Sequence, residues 1–598
     1  MRKHYLLYAS AAMVALASCS REAKEVITPE MSTSYAKISI SMASAPGTRA
    51  DWGEFDSGSY DESKMALEDI HLVFYDDAGF VVGSGKHIKT DLDEKYTFKN
   101  AESRLPIAGS VSDENAVVFQ LDLYEGAPLP TKVAAFINVD PMAFNLDKIS
   151  DIMTNVSEVY ETENKGYIMT SAGYYDGEEY VIAAELNSAG IFTTVSQAAD
   201  AEATKAATIY VERLAAKVSI DSAAEVVQDN QKFIVKNTAG EELTVKFSKT
   251  FNWGITGTAT EMYMLKQPFE NTADWMNDSE NCRSYWAKGS NWGKGYGDYE
   301  VVEDAEGQKS TLLNYLSYRD VISYEEDGET IEPNNGVASY TLEHTYDYSA
   351  LKGEALFNVN VPSTSAIVIG TYEISKGNER PIEFGPEGFY LLYAGAEDGK
   401  SLYTLYSKEE LIAYLVKDRT IYDEKGEVVG NGETLDAFSL TKVGTQFKLV
   451  AADWQDKIGE NDDDYKTTTL YTDEELTKEV AKTNARHYVG SMGYFFVPIV
   501  HHAASKEAVE GVEGVFEPVT GYYGVVRNHS YVLTITSIQG LAAPLDDKYT
   551  DGVDPEDPDY PGGEEEPIIP DPDDLKEAYI QASIKVLSWH VVSQNVEL

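Results

Sequence analysis

The last twenty residues, YIQASIKVLSWHVVSQNVEL at positions 579–598, are the stretch around which this chain is organised. Polar residues alternate there with four apolar ones, Ile580, Ala582, Ile584 and Val586. A period of two predicts a β-strand with one face to bury. Trp589 and Val591 have the opposite parity, which predicts a β-bulge near residues 587–588. No hairpin partner precedes this strand, so it needs a groove elsewhere.

A second lone strand lies near the N-terminus. Residues 35–43, YAKISISMA, alternate in the same way, and Ile38, Ile40 and Met42 are among their apolar positions. The segment PGTRA at 46–50 follows at once and holds one arginine in a turn-like, exposed context, which is a natural site of nicking. The chain therefore carries a detachable strand at one end and a tethered strand at the other.

The tether of the terminal strand is the segment 546–578. It contains 14 acidic residues, two lysines and six prolines in 33 positions. Charge repulsion and proline predict that this segment is extended and unfolded. At roughly 3 Å per residue it would reach on the order of 90 Å, far enough to contact another molecule.

The N-terminus predicts export. A positive start and an apolar stretch at residues 5–16 precede LASC (16–19), which fits the bacterial lipobox. The apolar stretch is too short for a transmembrane helix. We expect Cys19 to be lipidated, which leaves Cys282 as the one other cysteine and no intramolecular disulfide.

Composition narrows the classes of partner. The net charge of −52 over 598 residues excludes nucleic acid as an expected partner, because phosphate groups repel such a surface. It is typical of a well-solvated extracellular protein. The length allows two to four domains, and the 43% hydrophobic content is sufficient for real cores.

Short strands dominate the rest of the sequence. The capping boxes that begin at Ser407 and Thr472 predict two helices. Strands are predicted at residues 67–82 (a hairpin), 116–123, 132–139, 166–170, 207–220, 233–235, 242–247, 262–265, 490–500, 522–526 and 531–538. This pattern predicts a mainly β fold with two β-sandwich-like domains and small helical insertions, the first domain ending near residue 223.

No catalytic residue, metal ligand or cofactor site is predicted. The sequence lacks GxSxG, HExxH, Walker A and GxGxxG motifs, and its 100 acidic residues select no glycosidase pair. His501 and His502 are adjacent on a predicted strand end and would point to opposite faces, so they would chelate poorly. The acidic run at 453–464 lacks EF-hand spacing.

Three motifs carry a family resemblance. VERLAAKVSI (211–220), VVRNHSYVLTITSIQGL (525–541) and IKVLSWHVVSQNVEL (584–598) resemble bacterial fimbrillins that are exported as lipoproteins. The nearest likeness is to the Mfa-like major subunit of minor fimbriae, a shaft pilin. The resemblance covers both ends of the chain and is weak across residues 224–480.

The resemblance implies an order of domains. A lipoprotein signal peptide (1–18) and a propeptide with the releasable first strand (19–49) precede two transthyretin-like β-sandwich domains. These domains would occupy residues 50–223 and, with insertions, 224–545. The acidic linker and the C-terminal donor strand (579–598) follow them.

The resemblance also implies an assembly route. Lipid on Cys19 would carry the precursor to the cell outer membrane, where an arginine-specific protease would cut between Arg49 and Ala50. The cut would free the first strand, and the C-terminal strand of another subunit would fill the groove. The expected partners are other copies of the chain and accessory fimbrial subunits, and the expected final location is an extracellular fimbrium that mediates adhesion.

Elementary physics is consistent with this route. The two lone strands share one alternating pattern, so either can satisfy the edges and apolar floor of one groove. Four or five buried side chains would contribute roughly 6–15 kcal/mol before ordering costs. Head-to-tail donation is a heterologous contact, which makes a filament. Arg21 also lies near the start, but only a cut after the first strand, at Arg49, would release it.

Other functions compete with this one. A monomeric surface lipoprotein that binds a glycan or a host protein would need no donor strand. A tip adhesin would be expected to lack the free terminal strand, which this chain has. A surface hydrolase would need a catalytic motif, and none is found.

Overall fold

The computed structural model describes residues 32–42, 70–87, 116–123, 129–139, 153–155, 167–172, 174–175, 180–181, 183–186, 190–199, 207–229, 232–248, 250–267, 277–278, 283–284, 286–299, 302–303, 309–310, 312–322, 339–348, 363–416, 420–422, 428–431, 438–443, 446–451, 469–472, 483, 485–508, 516–545, 567–569 and 579–588. These residues form a mainly β protein with β-sandwich sheets, as the sequence predicts.

The first part of the chain forms β1 (Ser32–Met42), β2 (Ile70–Tyr75), β3 (Val81–His87), β4 (Ala116–Leu123), β5 (Lys132–Ile137), β6 (Met153–Asn155), β7 (Met169–Ser171), β8 (Tyr174–Tyr175), β9 (Tyr180–Val181), β10 (Ala184–Glu185), β11 (Ile191–Phe192), α1 (Val195–Ala199) and β12 (Ala207–Arg213).

The second part forms β13 (Ala216–Asp229), β14 (Phe233–Lys236), β15 (Glu242–Phe247), β16 (Asn252–Thr256), β17 (Thr258–Ala259), β18 (Glu261–Tyr263), β19 (Asn277–Asp278), β20 (Arg283–Ser284), β21 (Val302–Glu303), β22 (Lys309–Ser310), β23 (Leu313–Asn314), α2 (Tyr318–Val321), β24 (Ser339–Thr341), β25 (Ser365–Ser375), β26 (Phe389–Glu397), β27 (Lys400–Tyr406), α3 (Lys408–Val416), β28 (Thr420–Tyr422), β29 (Val428–Asn431), β30 (Phe438–Val443), β31 (Gln446–Ala451), β32 (Thr469–Thr472), β33 (Arg486–Tyr488), β34 (Met492–Pro498), β35 (Lys506–Ala508), β36 (Phe516–Pro518), β37 (His529–Gln539), β38 (Ala543–Pro544) and β39 (Tyr579–Ser588). Within the described residues, 3-10 helices span Tyr296–Tyr299 and Val489–Ser491.

The first unit is built on one sheet whose ends meet. Its strand order is β10-β5-β2-β3-β4-β1-β12-β7, with β11 beside β1, and β7 also pairs with β5. The strands β5, β2, β3, β4, β1, β12 and β7 therefore form a closed ring. Alternate residues of the ring strands point into one core, which includes Ala36, Ile38, Leu72, Phe74, Val133, Ala135, Ile137, Met169, Ile209 and Val211.

The chain passes from the first unit to the second between β12 and β13. Leu214 and Ala215 separate the two strands, and β13 already belongs to a sheet of the second unit. The sequence places the end of the first domain near residue 223, but that position lies inside β13. The alternation changes phase at this point: the buried positions are odd-numbered through Val211 and even-numbered from Ala216 to Ile220, with an apolar run at 214–216 between them.

The second unit is a sandwich of two sheets. A four-stranded sheet with the order β24-β13-β37-β39 packs on a nine-stranded sheet with the order β33-β26-β27-β14-β15-β25-β34-β38, and β16 pairs with β25. The core between them is aliphatic and aromatic, with members that include Val218, Ile220, Val245, Phe247, Trp253, Val368, Phe389, Phe495, Tyr531, Leu533 and Ile535.

The nine-stranded sheet is apolar on its outer face as well. In β25, Ala366 and Val368 face the core, whereas Ile367 and Ile369 belong to a separate cluster on the other side. β34 continues that outer cluster. Other elements of the second unit must cover this outer face, because a sheet face of apolar side chains would be unfavourable in water.

Most predicted elements are found near their predicted bounds. The hairpin forms as β2 and β3, and the strands at 116–123 and 242–247 match β4 and β15 to the residue. The helix predicted after Ser407 is α3, with both capping-box bonds present: the Ser407 N–H donates to Glu410 Oε2 at 2.9 Å and the Glu410 N–H to Ser407 Oγ at 3.2 Å.

Two predicted elements differ. Residues 522–526 form isolated bridges, His344 with Val525 and Val500 with Tyr523, and no continuous strand. The helix predicted after Thr472 falls on residues outside the described part of the chain, and Thr472 itself ends β32.

The prediction that the whole linker 546–578 lacks folded structure is wrong at one point. Ile568 is fully buried in the outer cluster of the nine-stranded sheet. The prediction rested on the charge and proline content averaged over the segment, in which two adjacent isoleucines have little weight. Ile568 is nevertheless buried, because it contacts apolar side chains of the second unit.

Candidate assembly site

The first strand occupies a slot with a hydrogen-bonded edge on each side. β1 runs antiparallel to β4, with Ser32 opposite Leu123 and Ser39 opposite Ala116. On its other side it runs parallel to β12, from Ile38 opposite Ala207 to Met42 opposite Val211. β11 covers the remaining part of that side. β1 is therefore the strand that joins β4 to β12 and completes the ring.

The floor of this slot is apolar. Ala36 and Ile38 have no exposed surface and pack with the β2, β5 and β12 side chains of the first core. Burying Ile38 contributes about 1.5–3 kcal/mol. Ile40 and Met42, also predicted to be buried, hold register positions opposite Ile209 and Val211, while their side chains lie outside the description.

The terminal strand lies on the second unit of its own chain. β39 pairs antiparallel with β37, and the alternating positions Ile580, Ala582, Ile584 and Val586 stand opposite Ile538, Ile535, Leu533 and Tyr531. All four β37 partners are buried in the core. Among the described strands β39 has a neighbour on one side only, so it is an edge strand.

The pairing register between β39 and β37 shows where this ladder contains a bulge. Pairing is regular through Leu587 opposite Ser530 and Ser588 opposite His529. The register shift falls in the partner strand, between Ile535 and Ser537, where Thr536 is the extra residue. Through Ser588 the ladder contains no bulge in β39, and the predicted bulge depends on Trp589 and Val591, which lie outside the described residues.

Several predicted site residues lie outside the described ranges. They are the lipidation residue Cys19, the cleavage residues Arg49 and Ala50, and the second part of the terminal strand with Trp589 and Val591. Their roles remain predictions. What the structure brings together instead is a pair of motifs on which the resemblance was based.

The motifs 211–220 and 525–541 meet at the junction of the two units. Arg213, at the end of β12, donates from Nη1 to Asn528 Oδ1 at 3.1 Å. The Asn528 N–H donates to the carbonyl of Ala215 at 3.0 Å. From Lys217 opposite Ser530 onward, β13 and β37 then run side by side in parallel. Arg213 and Asn528 are 315 residues apart in sequence, yet their segments form one structural joint.

A buried ion pair lies beside this joint. The guanidinium of Arg527 binds the carboxylate of Glu343 at 2.6 and 2.9 Å, and both side chains are almost completely buried. Arg527 also donates to the backbone carbonyls of Met264 at 2.7 Å and Tyr263 at 2.6 Å. Tyr263 is the last residue of β18 and Met264 follows it, and β18 pairs with β6 of the first unit.

A second buried ion pair extends the contact. Lys266 Nζ lies 3.1 Å from Glu212 Oε2, and the exposed fractions of the two side chains are 1% and 0%. Next to it, Met262, Met264 and Leu265 pack against Val73, Tyr75 and Phe136 of the first unit. The segment 261–267 thus fixes the second unit to the outer face of the first sheet.

Sequence reasoning did not find this charged joint, although a signal was available. Glu212, Arg213 and Arg527 interrupt otherwise apolar stretches. Charged residues at such positions are rarely buried unless they are paired. Their partners, Glu343 and Lys266, could not be read from the sequence, because they are brought in by distant loops.

His344 is buried next to Glu343 of the joint, and His501 and His502 are hydrogen-bonded. Burial lowers the pKa of His344 from 6.5 to about 4, with a backbone hydrogen bond to Gly257 acting in the opposite direction. His501 Nδ1 lies 2.7 Å from the hydroxyl of Tyr531, and His502 Nδ1 lies 2.8 Å from Ser505 Oγ. The adjacent histidines therefore have separate partners.

The described ranges contain no group of three or more His, Cys, Asp and Glu side chains arranged to hold a metal ion. Across the same ranges, no helix has the length and apolar character to cross a membrane.

The C-terminal region matches one protein-family model. Residues 486–595 match the family model for the C-terminal region of fimbrillin, the type IV major fimbrial subunit protein. This range holds the motif 525–541 and nearly all of the terminal motif, so the resemblance read from those residues is confirmed. No curated protein matches the chain.

Several solved structures of fimbrial proteins match the chain, each with a TM-score below 0.5. A fimbrilin (fimA) from Porphyromonas gingivalis is 12% identical, with 94% of this chain and 98% of that chain covered and a TM-score of 0.33. The tip fimbrial protein Mfa3 from the same organism, truncated at its C-terminus, is 10% identical over 93% and 100% of the two chains, with a TM-score of 0.28. A fimbrial assembly protein from Parabacteroides distasonis is 12% identical over 59% and 85%, with a TM-score of 0.22. We transfer no residue role from them.

Replacing the buried carboxylate of Glu343 with an uncharged amide is predicted to lower the free energy of unfolding substantially. Glu343→Gln would leave the guanidinium of Arg527 buried without a counter-charge, which costs about 3–5 kcal/mol of unfolding free energy. Chemical denaturation would measure this loss. The matched control is Glu241→Gln, which breaks the half-exposed pair with Lys376 and should leave the unfolding midpoint nearly unchanged. Equal midpoints for the two variants would contradict a stabilising joint.

His344 predicts a specific dependence of stability on pH. The unfolded chain binds a proton at His344 below about pH 6.5, and the folded chain does so only near pH 4. Unfolding free energy is therefore lost as the pH falls through this window, by about 3 kcal/mol in all. His344→Gln should flatten the measured curve by that amount between pH 7 and pH 4. Parallel curves for the variant and the parent would show that His344 is not the responsible group.

Proposed function

We propose that this chain, whose residues 486–595 match the fimbrillin C-terminal region, is a structural subunit of a fimbria and contributes to adhesion through the assembled fibre. The observation that carries the proposal is the position of β1. It lies between β4 and β12, and the segment 46–50 with Arg49 follows it at once. A strand that completes a core, and that one cut would free, can serve as a temporary plug.

The first step in the proposal is release of this plug. The precursor is lipidated at Cys19, reaches the outer membrane, and is cut between Arg49 and Ala50 by an arginine-specific protease. Removal of β1 would leave the hydrogen-bonding edges of β4 and β12 without a partner and expose the apolar floor around Leu72 and Phe74. Such edges readily pair with another chain.

The second step is donation of the terminal strand by another subunit. On its own unit β39 forms a ladder along one edge, with β37. In the vacated slot it could form ladders along two edges, as β1 does with β4 and β12. The additional ladder and the buried apolar side chains would favour exchange over the intramolecular position. Because donor and acceptor surfaces differ, repetition builds an open filament.

A second function is favoured by one observation. With β1 in its slot and β39 on β37, a single chain has both the closed ring of the first unit and the two-sheet sandwich of the second. A monomeric lipoprotein that binds a glycan or host protein at the cell surface would need nothing more. Polymerisation after cleavage distinguishes the two functions, because a monomeric surface-binding protein would not need to release β1.

Proteolytic trimming tests the proposal. We expect that an arginine-specific protease converts the purified chain, from residue 20 onward, into SDS-resistant ladders, because freed slots take terminal strands. The same chain without residues 579–598 should be cut equally but stay monomeric, as measured by size exclusion. Monomers from every form after cutting would contradict strand donation and favour the surface-binding function.

The site of the cut is tested separately. Arg49→Ala should retain β1 after protease treatment and therefore block ladders, whereas Arg21→Ala, upstream of β1, should not. Mass spectrometry of the N-terminus would follow the cut. Normal ladders from the Arg49→Ala chain would place the cut elsewhere.

A further inference from the structure

The acidic linker contains a short apolar segment that contacts the second unit. Pro567, Ile568 and Ile569 are described amid the acidic residues of 546–578. Ile568 has no exposed surface, and its two neighbours are partly exposed. One residue in the middle of a charged segment is thus buried as deeply as any core residue.

The pocket that takes Ile568 lies on the outer face of the nine-stranded sheet. Its walls come from four elements, β25, β34, the α2 region and the segment after β37. Ile568 belongs to a buried cluster there with Ile367, Ile369, Tyr494, Phe496, Tyr318 and Leu545. Because this cluster is built from aliphatic and aromatic side chains, a branched aliphatic side chain is the group that fits it.

A backbone hydrogen bond fixes the segment in the pocket. The N–H of Ile568 donates to the carbonyl of Leu316 at 2.9 Å. The prolines at 567 and 570 restrict the chain on either side and cannot donate such a bond themselves. They also reduce the conformational entropy that is lost when the segment is ordered. Side chain, hydrogen bond and flanking prolines together make a short docking motif.

We propose that residues 567–569 are an anchor that holds the linker on its own subunit. The occupant of the pocket is this chain's own Ile568, bound intramolecularly. The anchor divides the linker, and only residues 570–578 then separate it from the first residue of β39. The reach of the terminal strand falls from on the order of 90 Å to roughly 30 Å.

The anchor changes how often the terminal strand meets its partner. Closing a loop through nine residues in place of 33 raises the effective concentration of the strand at β37 about sevenfold. If the chain assembles as proposed above, the anchor also fixes the point from which each donor strand leaves its subunit. This second consequence rests on the proposed function, whereas the first does not.

Hydrogen–deuterium exchange of the full, uncut chain tests the anchor itself. Ile568→Ser removes the apolar group and keeps both prolines, and Ile569→Ser is the matched control on the partly exposed neighbour. We expect amides of residues 579–588 to exchange about sevenfold faster in Ile568→Ser than in the parent, and at the parental rate in Ile569→Ser. Peptides from β13 and β25 should exchange as in the parent, which reports that the unit is folded.

Fibres formed after trimming test the consequence for assembly. Fibres of Ile568→Ser should show a broader distribution of subunit spacings in electron micrographs than those of Ile569→Ser. Parental exchange at 579–588 in Ile568→Ser would overturn the anchor. Faster exchange with unchanged spacing would retain the anchor but overturn its role in assembly. Absence of fibres from the parent itself would reject the proposed function, while the exchange result still decides the anchor.

Discussion

The hydrogen-bonded closure of the first sheet by β1 is the constraint on which the rest of the structure depends. β4 and β12 have no ladder to each other, and β1 supplies both of them with partners. Its residues Ala36 and Ile38 also complete the core beneath. The strand that does this comes from the very start of the described chain, and the sequence after it contains Arg49 in the segment PGTRA (46–50). In the proposed route, a single cut after this strand makes the subunit competent for assembly.

The two units are held together by contacts that differ in kind from those around the slot. The slot is apolar and bounded by strand edges, which any strand of the same pattern can satisfy. The joint is charged and specific, with Arg527 bound to Glu343 and to two carbonyls, and Arg213 bound to Asn528. Breaking one partner of such a buried pair is costly, so the joint favours one arrangement of the units. Exchange of a strand at one place is therefore compatible with a rigid connection at another.

Local patterns were sufficient to predict much of this structure. Alternation placed β1, β4, β15 and the first half of β39, and a capping box placed α3. Contacts between distant residues could not be predicted in the same way. The alternation changes phase near Leu214, but periodicity does not show that the following strand joins another sheet, and the bulge at Thr536 depends on which strand β39 meets. The burial of Ile568 was missed because charge and proline content describe a segment as a whole, whereas the pocket selects one side chain.

The most direct measurement of the central claim is a helical reconstruction of fibres grown from the trimmed chain, at a resolution that traces side chains. The account predicts that the density between β4 and β12 is the 579–598 segment of a neighbouring subunit, connected through its linker to that neighbour's second unit. Density for residues 32–42 in the slot, or an empty slot with each terminal strand still on its own β37, would contradict it.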